Sequence, residues 1–97
     1  MKFRSESIDR LFQTILNLQN VDECYAYFED LCTVKELQDM AQRLDTAIAL
    51  SEGPSYQTIT RQVGISTATI GRVSRALNYG TGGYRTAIER LAGQEET

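Results

Sequence analysis

Apolar residues recur at intervals of three and four along the chain, the spacing that gathers them on one face of a helix. Ile8, Leu11, Phe12, Ile15 and Leu16, with Leu18 close by, predict a helix over 6–19, capped by Ser5 or Ser7 and ended by Asn20. A second short helix is expected after Asp22, with Tyr25, Phe28, Leu31 and Cys32 on one side. Thr33-Val34-Lys35-Glu36 has the form of a capping box, in which Thr hydroxyl and Glu carboxylate each accept the other residue's backbone N–H. It opens the longest predicted helix, about 34–51, with Val34, Leu37, Met40, Ala41, Leu44, Ala47 and Ile48 apolar. Gly53-Pro54 stops that helix and Ser55 caps the next. Asn78 to Gly83 reads as a loop, a last helix is expected over about 84–92, and Gln94–Thr97 is a polar tail expected to fray. Nothing alternates with period two long enough to make a strand. The expected class is all-α, with about six helices in one domain over residues 1–97.

Residues 56–78 fit the requirements of a helix-turn-helix. Its first helix must show apolar residues one turn apart, and Ile59 and Val63 do. Its turn needs a residue tolerant of positive φ, and Gly64 sits there, with Ile65 next to plug the joint. Ser66 caps the second helix, which buries the stripe Ile70, Val73 and Leu77. Thr60 departs from the pattern, because the tight crossing favours Ala or Gly at that place. The rest of the second helix carries Thr67, Thr69, Gly71, Arg72 and Arg75. Small side chains let a helix sit deep in a major groove, arginine pairs bidentately with guanine, and threonine meets a thymine methyl or a phosphate. Tyr56, Gln57, Thr58 and Arg61 on the preceding helix are placed to position the backbone, and Ser66 sits at the N-terminus offered to a phosphate. A plain helical hairpin with a solvated polar face would share the apolar pattern.

Charge sharpens this reading. The net charge of −3 hides an uneven distribution. Residues 1–52 hold five basic and ten acidic side chains, a sum of −5, whereas residues 53–88 hold Arg61, Arg72, Arg75 and Arg85 and no acid. The helix-turn-helix therefore lies in a field of positive sign.

Composition excludes several classes. Apolar residues make up 41% and charged residues 24%, an ordinary globular balance. No apolar run approaches the length needed to span a bilayer and no signal-peptide core comes after Met1, so a cytoplasmic protein is expected. With no histidine, and with Cys24 and Cys32 the two cysteines, neither a metal site nor a disulfide framework is expected; both thiols are expected half-buried on helices. With no histidine, no metal cluster, no nucleophile–base pair in view, and residues 80–83 preceded by no strand and lacking the Lys-Ser/Thr of a phosphate loop, no enzyme chemistry is expected.

The Thr33-to-Ser51 helix with Arg43 in it, Gly53 after it, and Ala68-Thr69-Ile70 followed by Arg72 resemble the Trp repressor superfamily over about residues 33–92. Asn78-Tyr79-Gly80 and Gly82-Gly83-Tyr84 look like its YerC/YecD branch, whose members lack a well-defined role. The resemblance implies an interlaced homodimer in which helices of residues 1–32 from both chains share one core. Residues 33–92 form the rest, 93–97 a frayed tail, and two recognition helices face successive major grooves of double-stranded DNA. The apolar face of 8–18 also makes better sense with a partner chain to cover it. In the family two arginines hold an amino acid's carboxylate, and Arg43 and Arg72 match them. Val73 stands where the family has glycine and would intrude on an indole ring, so tryptophan is not the expected ligand and no cofactor is assigned. Whether another small molecule or none takes that place stays open. The expected function is a sequence-specific DNA-binding transcriptional regulator, a repressor in type; the alternative is a helical protein-interaction module using the acidic face of residues 22–52.

Overall fold

The computed structural model describes residues 2–53 and 55–95, the side chain of residue 95 excepted. Among the described residues six helices run in order: α1 (Glu6–Leu16), α2 (Val21–Leu31), α3 (Val34–Ser51), α4 (Tyr56–Val63), α5 (Thr67–Tyr79) and α6 (Gly83–Glu95). Among the described residues there is no strand. The chain divides into two compact units, Met1–Leu37 and Gln38–Thr97.

In the first unit, Ser5 caps α1 by accepting the Ile8 N–H at 3.1 Å. The helix closes at Asn17, short of the expected 19. The start of α2 is the cause. Asn20 is extended, φ −155°, and its side chain accepts the Glu23 N–H, so Asn20 and not Asp22 caps α2. The first turn of α2 also takes the Gln19 N–H, which a helix running to 19 would have given to the Ile15 carbonyl. Glu23 reaches back to the Gln19 N–H at 3.1 Å, completing a box-like cap. Thr14 and Tyr27 join α1 to α2 through their hydroxyls at 2.7 Å, and the Tyr27 and Phe28 rings meet edge to face. No residue of α1 or α2 is buried. Leu16 is 74% exposed, and Phe12, Val21, Tyr25 and Leu31 are also open. Cys24 and Cys32 are free thiols of intermediate exposure, Cys24 within α2 and Cys32 at its C-cap.

The capping box at the start of α3 forms in both directions. Thr33 Oγ1 accepts the Glu36 N–H at 3.1 Å and Glu36 Oε1 accepts the Thr33 N–H at 2.9 Å. The backbone bond from Thr33, with the side-chain bond second, holds the exposed Glu36 carboxyl below its ordinary pKa.

The second unit owns the core. Ile59 of α4, Ile65 of the turn and Ile70 of α5 pack together, flanked by Ala49 and Leu50 of α3 and by Val63. Ala47 and Thr46 are fully buried, and Thr46 satisfies its hydroxyl on the Gln42 carbonyl. Val73 and Leu77 extend the buried stripe along α5. Pro54, expected to stop α3, lies outside the described residues, and Gly53 with φ +94° makes the exit. Two boundaries shift from expectation. α5 continues through Asn78 and Tyr79, which the sequence pattern assigns to the loop, leaving Gly80–Gly82 as the joint. α6 begins at Gly83 and continues to Glu95, so residues 93–95 of the expected tail are helical, whereas residues 96–97 lie outside the described residues. Apolar periodicity marks only the part of a helix that packs, so its extension into a polar turn is invisible to it.

Candidate nucleic-acid interface

The joint between α4 and α5 is built by matched caps. Ser55 accepts the Thr58 N–H at 3.2 Å and Ser66 accepts the Thr69 N–H at 3.2 Å. In each pair the two hydroxyls also meet, at 3.0 Å and 3.1 Å. Gly64 closes α4 in the left-handed region, φ 76°, donating its N–H to the Thr60 carbonyl at 2.8 Å. A Cβ there would meet nothing, so backbone conformation rather than space calls for glycine. Thr60 turns its hydroxyl back to the Tyr56 carbonyl at 2.8 Å, which satisfies its polar group within α4.

This frame presents one polar surface. On α4, Tyr56, Gln57 and Arg61 are exposed; on α5, Thr67, Arg72 and Arg75 are exposed, with Ala68 among them. Thr58 and Thr69 are half-buried, with hydroxyls engaged in the caps, so they present less side chain to a partner than expected. Ser66 stays exposed at the α5 N-terminus. A Cβ built on Gly71 meets no atom within 4 Å. Ile70, Val73 and Leu77 anchor the opposite face of α5 in the core. Small residues and arginines thus stand outward from a buttressed helix, the form a groove-reading helix takes.

A cleft of about 360 Å³ adjoins this surface, lined by Asp39, Gln42 and Arg43 of α3, Gly64, Ile65 and Ser66 of the turn, and Thr69 and Arg72 of α5. It brings Arg43 and Arg72 into one site. Among the described residues lining it, Ile65 is the one apolar side chain, and it is 8% exposed. Val73 does not line the cleft; it is 2% exposed in the buried stripe. Asp39, the acid that the sequence places one turn from Arg43, lines this site, and Gln42 is the part of it that the sequence pattern did not single out. The i, i+3 and i, i+4 spacing of Asp39 with Gln42 and Arg43 was the available signal.

The sequence matches the Trp repressor protein family over residues 6–92. The chain belongs to the Trp repressor family. A relative, the uncharacterized protein YerC of Bacillus subtilis, is 49% identical over 90 residues, covering 93% of this chain and 86% of that one. The structure is similar to a TrpR-like protein from Eubacterium eligens, with TM-score 0.90 and 45% identity over 94% of each chain. A candidate Trp repressor from Staphylococcus aureus matches equally, with TM-score 0.90 and 45% identity over 94% of this chain and 91% of that one. This is a family of transcription regulators in type, and its all-α fold agrees with the six helices described. Among the described residues no group of His, Cys, Asp or Glu is arranged to hold a metal ion, and no helix is long and apolar enough to cross a membrane.

Proposed function

We propose that this Trp repressor family member is a cytoplasmic, homodimeric, sequence-specific DNA-binding regulator that acts as a repressor. The observation that carries the reading is the buttressed α5, which offers Thr67, Arg72 and Arg75 to solvent, with the half-buried Gly71 between them, beside Tyr56, Gln57 and Arg61 of α4. Two copies related by a two-fold axis would place their α5 helices in successive major grooves, about 34 Å apart, and compete with polymerase at a pseudo-palindromic site. Arg75 has the length and the fork to pair with guanine, while Gln57, Thr58, Arg61 and Tyr56 position the duplex. Ser66 and Thr69 hold the α5 N-terminus toward a phosphate.

The homodimer is supported by α1 and α2, which are amphipathic and bury no residue on their own. A second copy has the same open apolar side chains and is the partner we propose for them. Leu16→Glu is expected to shift the protein from dimer to monomer in analytical ultracentrifugation; a dimer that persists refutes this use of α1. Arg43 and Arg72 in one polar cleft support a small anionic effector rather than tryptophan.

The test of the whole reading is selection of bound duplexes from a random pool at about 0.15 M salt. An enriched motif with two-fold symmetry is expected. No enrichment, with or without a metabolite mixture, refutes it and favours the protein-interaction alternative.

A further inference from the structure

Ser74, Asn78 and Arg85 form a chain of hydrogen bonds across the joint between α5 and α6. Asn78 Nδ2 donates to the Ser74 carbonyl at 2.9 Å and to Ser74 Oγ at 3.3 Å. These two bonds orient the amide so that Asn78 Oδ1 faces α6, where it accepts from Arg85 Nη2 at 2.9 Å. The link spans a segment with special backbone needs. Gly80 admits no side chain, because a Cβ would collide with the Ala76 carbonyl oxygen, and Gly82 has φ +90°. Two glycines in a three-residue connection leave the chain free to adopt many angles there. The charge-assisted bond from Arg85 to Asn78 selects one of them.

We propose that Asn78 and Arg85 are positioning residues that fix the angle of the recognition helix against α6, an inference that rests on the DNA-binding reading above. Ser74 and Asn78 lie on the edge of α5 that continues, at helical spacing, to Gly71 and Thr67. The groove-entering end of α5 is a lever of about 16 Å measured from Asn78. A tilt of about 5° at the joint moves that end by about 1.4 Å over this lever, enough to spoil a hydrogen bond to a base. Arg85 therefore departs from the other arginines of the acid-free block. It serves the joint and leaves contact with DNA to Arg61, Arg72 and Arg75.

The experiment measures affinity for the selected duplex, as a function of salt, for Asn78→Ala, Arg85→Ala, the double variant and Arg85→Lys. Duplexes with half-sites moved apart or together by one base pair are measured alongside. Each single alanine variant is expected to bind about tenfold more weakly, and the double variant no worse than either single one. The slope of affinity against salt stays that of the unaltered protein, discrimination between half-site spacings falls, and Arg85→Lys, which keeps a donor, regains part of the loss. Helical content and Tm remain near those of the unaltered protein, because these side chains are not buried. If Arg85→Ala alone weakens binding and lowers the salt slope by about one, Arg85 is a phosphate contact and the proposal falls. Unchanged affinity in both single variants, or losses that multiply in the double variant, also overturns it. Should Asn78→Ala not fold, Arg85→Ala and Arg85→Lys carry the same salt-slope and spacing tests. If the unaltered protein enriches no duplex, the DNA-binding reading itself fails, a result seen before any variant is made.

Discussion

Replacing Gly71 by alanine separates what the fold requires from what DNA requires. Gly71 lies in the middle of α5, where glycine is less favourable than alanine by about 1 kcal/mol through its backbone entropy. A Cβ at this position meets nothing within 4 Å, so no clash offsets that gain. Gly71→Ala is therefore expected to stabilise the protein by about 0.5–1 kcal/mol, a rise in Tm of about 2–8 °C for a domain of this size. The same methyl projects from the edge of the face that carries Thr67, Arg72 and Arg75. There it holds the helix away from the groove floor, and affinity for the selected duplex falls at least about tenfold, or about 1.4 kcal/mol. Thermal unfolding monitored by circular dichroism, at one fixed protein concentration, reads the first effect. Fluorescence anisotropy with the labelled duplex at about 0.15 M salt reads the second. A higher Tm with unchanged affinity would refute the assignment of this face to DNA. A lower Tm would refute the open-space argument.

Arg75→Ala is expected to cost about 1–3 kcal/mol in affinity and to relax base preference at one position of each half-site, read by repeating the duplex selection. Equal weakening on all sequences would make Arg75 a phosphate contact instead. Gly80→Ala, which drives a Cβ into the Ala76 carbonyl, is expected to destabilise by about 1–3 kcal/mol in denaturant unfolding, and a neutral result contradicts the described joint. Glu36 has its pKa lowered by the Thr33 N–H, so its charge stabilises the fold above the ordinary glutamate pKa, and this contribution disappears as pH falls through the lowered value. The stability advantage of the unaltered protein over Glu36→Gln is thus expected at pH 7 and absent in strong acid; an advantage that does not change with pH counts against the capping role of the charge.

Caps and periodicity explain why so much is legible in the chain. Thr33 with Glu36, Ser55, Gly64 and Ser66 act over three or four residues, so their partners are visible in the sequence and stand in place in the fold. Asn20 and Asp22 are harder to tell apart. Both are good capping types two residues apart, and the bond to the Glu23 N–H chooses Asn20. The Arg85–Asn78 link is illegible, because its direction depends on the angle at which α6 leaves a glycine joint.

What the sequence by itself determined was local: six helices, the caps at Thr33, Ser55, Gly64 and Ser66, the stripe of Ile70, Val73 and Leu77, and an acid-free block around the helix-turn-helix. These arise from short-range sterics and from a period that can be measured along the chain. Tertiary structure decided which polar residues remain open and which are consumed. Thr58 and Thr69 went into caps, Arg85 into the α5–α6 joint, and Arg43 with Arg72 into one cleft lined also by Asp39 and Gln42. Polar side chains carry no periodic signature of their partners, since a hydrogen bond is fixed by the distance and angle between elements that only packing brings together.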